Sequence, residues 1–123
     1  MGSILSAGAT QQETQDLDRV PNVTNVQDLQ SLRIRKPALL WVYMKECHWS
    51  KVSAKPVSDF GARSPVPVYG IDGPKYRNNL AQVGLRPRGY PTIYFLKDNK
   101  RATEMTTQAT VSSIESFVRN ELR

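Results

Sequence analysis

A single cysteine, Cys47, is all that 123 residues contain. No disulfide can close within the chain, so folding does not depend on an oxidising compartment. No run approaches the roughly 20 apolar residues of a membrane-spanning helix. A secretory leader is not expected either: Ile4-Leu5 is no apolar core segment, and no basic stretch precedes it. The expected location is the cytoplasmic side. No internal repeat is visible and no second domain is expected, since the length suits one domain. The net charge of +6 would suit an anionic partner. Lys and Arg are scattered, however, with only Arg33-Arg35-Lys36 and Lys97-Lys100-Arg101 as small groups. No aromatic-interleaved RNA motif accompanies them, so nucleic acid is not an expected partner and the charge reads as solvated surface.

What is present divides unevenly. Residues 1–19 are polar, rich in Gln, Ser, Thr and Gly, and aperiodic, which reads as an extended tail before a domain at 20–123. The tail opens Met1-Gly2-Ser3-Ile4-Leu5-Ser6, the pattern for myristoylation of Gly2. One myristoyl chain binds a membrane only marginally. The tail has no cysteine for a second acyl chain, and residues 1–20 carry Arg19 against Glu13, Asp16 and Asp18. Stable membrane contact through Gly2 would therefore need the basic domain or a partner.

Within the domain, Arg19 to Val23 reads as a short edge strand, since Pro21 is tolerable only at an edge. Thr24 with Gln27 reads as a capping box, opening a helix through Val26, Leu29 and Leu32. Ala38 to Met44 is a short apolar run of the kind buried on both faces of a sheet. A helix is expected from about Lys51, ended or kinked by Pro56, with Val57 to Ala62 continuing and Phe60 inward. Val66 to Asp72 is a strand and Pro74 to Val83 a helix closed by Gly84. Thr92 to Leu96 and Arg101 to Met105 form a hairpin. Thr110 caps a last helix with Ile114, Phe117, Val118 and Leu122 on one face. The order β-α-β-α-β-α-β-β-α packs naturally as one mixed sheet flanked by helices, an α/β fold.

Two stretches carry chemistry. Cys47-His48-Trp49-Ser50 stands where the buried strand gives way to a helix. The free N–H groups and dipole of a helix start lower a thiol pKa there. A lone cysteine buried as a small apolar residue is the plainer alternative. The second stretch is Arg88-Gly89-Tyr90-Pro91-Thr92-Ile93, a proline just before a strand. Together they resemble the thioredoxin family and, within it, the protein disulfide isomerase branch. Arg88 to Thr92 is similar to that family's RGYPT loop letter for letter, and residues 20–123 follow its element order.

The resemblance implies a thioredoxin fold with Cys47 as the nucleophilic thiol. It implies that Pro91 is a cis-proline facing Cys47, in a loop where Gly89 and Tyr90 line the groove for a partner's backbone. His48 corresponds weakly, shifted by one place, to the family's active-site histidine, and Trp49 is a candidate peptide contact. Three departures matter. Ser50 stands where the resolving cysteine belongs, so the second step of a dithiol cycle has no thiol. Trp41 occupies the place of the family's buried acid, and Glu46 that of a tryptophan. Two readings remain open. One is a monothiol protein that forms Cys47 mixed disulfides with protein partners or glutathione. The other is a non-catalytic binding component of a membrane-associated assembly, such as a virus particle. Dithiol oxidoreductase activity, a metal and a cofactor are not expected.

Overall fold

The structure is a computed structural model that describes residues 16–27, 34–98 and 101–123. Strand β2, Ala38–Tyr43, is its centre, and all six of its residues are buried. The remaining elements are β1 (Thr24–Asn25), α1 (His48–Gly61), β3 (Val68–Asp72), α2 (Arg77–Gln82), β4 (Thr92–Leu96), β5 (Ala102–Glu104) and α3 (Val111–Glu121). The five strands lie in the order β1-β3-β2-β4-β5. β3 runs parallel to both β1 and β2. β4 runs antiparallel to β2 and to β5. This is the mixed sheet expected from the element order.

Side chains alternate across a strand, so a strand buried on both faces feeds two cores. Leu39, Trp41 and Tyr43 pack with Ala54, Val57 and Phe60 of α1, with Ile114 and Val118 of α3, and with Ile93 and Phe95 of β4. Leu40 and Val42 join Ile71, Tyr94, Leu96, Leu80 of α2 and Leu85 on the opposite face. Thr110 opens α3 with a capping box: its Oγ1 accepts from the Ser113 N–H at 3.1 Å, and Ser113 Oγ accepts from the Thr110 N–H at 2.9 Å. Ile114 and Val118 face the core as expected, whereas Leu122 is exposed.

The N-terminal reading needs correction. The edge strand lies at Thr24–Asn25, not Arg19 to Val23, with Thr24 opposite Tyr69 and Asn25 opposite Gly70. Thr24 is thus a strand residue and caps no helix. The helix expected through Leu29 and Leu32 lies outside the described residues, as does Gly2. Residues 16–19, assigned to the tail, belong to the folded domain. Leu17 to Arg19 form one 3-10 turn capped by Asp16, and Leu17 is buried in the core. Asp18 accepts a hydrogen bond from the Tyr43 hydroxyl and an ion pair from Lys45 at 2.6 Å, while Asn25 Nδ2 donates to the Tyr43 oxygen at 2.7 Å.

Two helices also differ from expectation. α1 begins at His48 and runs through Pro56 to Gly61 without a break. α2 begins at Arg77, because Asp72 Oδ1 accepts from the Lys75 N–H and holds residues 73–76 in a turn. Its end is as expected: Gly84 adopts φ +83°, a left-handed conformation that costs glycine little.

Candidate functional site

Cys47 is the N-cap of α1, with extended backbone at φ −87° and ψ 124°. The parallel pairing of β2 with β3 brings this junction to the end of the sheet where Gly73 follows β3. The sharp turn Met44 to Cys47 is closed by the Cys47 N–H donating to the Met44 carbonyl at 3.0 Å. Ser50 then locks it from within the helix. Its side chain is fully buried, and Oγ accepts from the Met44 N–H at 3.0 Å. A hydroxyl thus supplies the partner of a part-buried backbone donor.

The thiol is half-buried. Burial pushes its pKa up, but the Ser50 N–H and hydroxyl, the Trp49 N–H and the Lys51 charge outweigh burial and bring it below the ordinary value. Hydrogen bonds to the charged form are what stabilise a thiolate at a helix start. In its protonated form the Sγ donates to the Tyr90 carbonyl oxygen at 3.5 Å. The Tyr90–Pro91 peptide is cis. The loop that leads to β4 therefore lies against the start of α1, and the two stretches singled out in the sequence meet in space.

The other candidate residues fall around this centre. Trp49 is 60% exposed, and the His48 ring packs edge-on against it with centroids 5.0 Å apart. Gly89 is exposed, and its carbonyl accepts from the Thr92 hydroxyl at 2.7 Å. A groove of about 220 Å³ runs past Pro91, lined by Trp49, Val52, Ile93, Met105 and Ala109 among others. Val52 is 44% exposed there. Tyr90 turns the other way, its ring close over Gly73: a Cβ at residue 73 would come within 2.2 Å of Tyr90 Cε1 and 2.9 Å of Val42 Cγ1. Gly73 is thus the residue that lets this loop close on the end of the sheet.

Beneath the helix lies Trp41, fully buried, where the family resemblance would have an acid. Its Nε1–H donates to Ser53 Oγ at 2.9 Å, and Ser53 in turn donates to the Ser50 carbonyl at 2.7 Å. The space thus holds a neutral, fully partnered chain in place of a titrating carboxyl group. Ser53 was not singled out in the sequence, although its spacing from Ser50 places both on one helix face.

No family model matches the chain, and no curated protein does. Solved structures do. The first thioredoxin domain of mouse protein disulfide-isomerase A4 is 23% identical, with a TM-score of 0.64 over 86% of this chain and 81% of that one. Thioredoxin f2 from its complex with ferredoxin:thioredoxin reductase is 21% identical, with a TM-score of 0.66 over 85% of this chain and 100% of that one. The J-Trx1 fragment of ERdj5 is 14% identical, with a TM-score of 0.67 over 85% of this chain, which spans about half (51%) of that fragment. At these identities the structural likeness shows architecture alone, and with the sheet order and flanking helices it leads to one statement: the chain has a thioredoxin fold.

Proposed function

We propose that the protein is a single-thiol thioredoxin-like protein that forms mixed disulfides with partner proteins. The observation that carries this is the position of Cys47 at the start of α1, with hydrogen-bond donors lowering its pKa and the Tyr90–Pro91 loop beside it. In the step proposed, the Cys47 thiolate attacks one sulfur of a partner's disulfide. The Cys47–partner S–S bond forms as the partner's S–S bond breaks, and the departing thiolate takes a proton from water. No second cysteine can repeat the attack from within, so Ser50 leaves the adduct in place. Release needs an external low-molecular-weight thiol, glutathione being the simplest class. With Trp41 below, the site also lacks the carboxyl group that would accept a resolving thiol's proton.

The test is trapping. The oxidised protein partner, mixed with the chain, should give a disulfide-linked adduct that persists until a small thiol is added and that Cys47→Ser cannot form. Sustained turnover of disulfide reduction without added thiol would refute the single-thiol reading.

A second reading has its own support in the exposed Trp49 and Val52 beside the groove. In it the thioredoxin fold serves as a binding module of a membrane-associated assembly, such as a virus particle. Gly2, through a myristoyl group, would supply the attachment. Partner binding unchanged in Cys47→Ser but lost in Trp49→Ala would favour this reading.

A further inference from the structure

On the opposite side of Tyr90 from the apolar groove lies a second cavity, of about 350 Å³. Arg77 of α2 and Arg86 and Arg88 of the loop line it, with Gly73, Leu80 and Tyr90 among the other walls. Among the described residues no Asp or Glu lines it. Among the described residues none of the three guanidinium groups forms an ion pair, although Arg19, Arg63 and Arg101 elsewhere do. All three arginines are exposed. Their charge is therefore not spent within the fold, and it converges on a concave site lined by Tyr90 itself, whose carbonyl meets the thiol.

The two depressions differ in face as well as in chemistry. Ile93 and Met105, in the groove, belong to the core shared with α1 and α3. Leu80, Leu85 and Tyr90, in the cavity, belong to the α2 side. The Tyr90–Pro91 peptide is the ridge between them. A chain segment that reaches Cys47 and crosses that ridge places its flanking residues in unlike environments.

We propose that the arginine-lined cavity recognises carboxylate groups, and that the clients of Cys47 carry Asp or Glu beside the reacting cysteine; this rests on the exchange reading above. Guanidinium groups match carboxylates through paired N–H donors, and a concave cationic site concentrates anionic partners before reaction. The same carboxylate chemistry is offered by a protein segment or by glutathione. The cavity's displacement from the thiol, across Tyr90, favours the longer reach of a protein segment.

The experiment uses short cysteine peptides activated as mixed disulfides with thionitrobenzoate, whose release is coloured. The cysteine is flanked on one side, then the other, by two Glu, two Ala or two Lys. The acidic peptide should react with Cys47 roughly fivefold or more faster than the alanine peptide, and the lysine peptide more slowly. Salt should shrink the ratio. Arg77→Ala with Arg86→Ala should abolish most of it, whereas Lys97→Ala at the far end of β4 should leave the ratio in place. A ratio near one, or a ratio unchanged in the arginine variant, overturns the inference. Glutathione disulfide compared with a neutral disulfide separates the sources: acceleration there alone assigns the cavity to the small thiol and overturns a protein client. If no peptide reacts, the exchange reading fails. The cavity is then read by binding of the same peptides, in reduced form, to Cys47→Ser: acid preference lost with the arginines supports carboxylate recognition, and equal binding overturns it.

Discussion

Replacing Trp41 with alanine tests whether the site stands on a packed floor. Trp41 is fully buried in β2, opposite Ile93 of β4 and Gly70 of β3. A buried Trp removes about 150–250 Å² from water, which at about 25 cal/mol per Å² is roughly 4–6 kcal/mol. Measured Trp or Phe to Ala changes run about 3–5 kcal/mol, because the site relaxes in part. The indole N–H bond to Ser53 Oγ adds roughly 1 kcal/mol, and Ser53 retains its bond to the Ser50 carbonyl. The expected loss is about 3–5 kcal/mol, a large part of the roughly 5–15 kcal/mol available to a domain. Urea unfolding followed by far-UV circular dichroism gives the number, provided the slope with urea is unchanged. Trp41→Phe should cost much less, since it keeps a ring in the cavity. A loss below about 1 kcal/mol for Trp41→Ala would refute the placement of Trp41 under α1.

Three further outcomes follow from the same geometry. Gly73→Ala should displace the Tyr90 ring, destabilise by roughly 1–3 kcal/mol and slow Cys47 alkylation, because the new methyl group meets both Tyr90 and Val42. Wild-type stability and reactivity after this change would show that the loop is not held there. Ser50→Cys should form a disulfide with Cys47 on oxidation, seen by mass and by loss of free thiol, without full dithiol activity, since Trp41 offers no proton acceptor. The stability difference between the wild-type chain and Cys47→Ser should grow as pH rises. A thiol whose pKa is lowered by folding stabilises the native state fully above the unfolded value, and that contribution fades as pH falls through the folded value. A difference that shrinks with rising pH would reverse the sign assigned to the thiol.

The readability of this fold varies with the range of the forces that shape each part. Ala38 to Tyr43 is an unbroken apolar run, and such a run has one stable place, the middle of a sheet covered on both sides. Gly84 and Thr110 act through their immediate neighbours, so both helix ends were legible. Thr24 was misread because a two-residue strand has no period of its own. Its conformation is set by pairing with Tyr69 and Gly70, 45 positions away for Asn25 and Gly70. Leu17 was lost in a polar stretch whose described residues, 16–19, include one buried side chain and one anchoring carboxylate, Asp18. Burial pushes the Asp18 pKa up, yet Lys45 and Tyr43 hold it below the usual carboxylate range. Pro56 was read as an end or a kink with the helix continuing at Val57 to Ala62; α1 is continuous past it, with Ala54, Val57 and Phe60 packed in the core. Cys47 and Tyr90-Pro91 were found through their resemblance to a known pair of motifs. The cavity had no such cue: Arg77 and Arg86 come together only when α2 and its following loop fold back on Gly73.

The most direct measurement is the rate of Cys47 alkylation by iodoacetamide against pH, on the native chain and on the chain unfolded in urea. With one cysteine, every modified molecule reports the same atom. The native chain should show an inflection below the ordinary thiol value of 9.0, displaced downward from the urea-unfolded chain. An inflection at or above the unfolded value, or a thiol inert throughout, would contradict an activated Cys47 and leave a buried cysteine in a binding module.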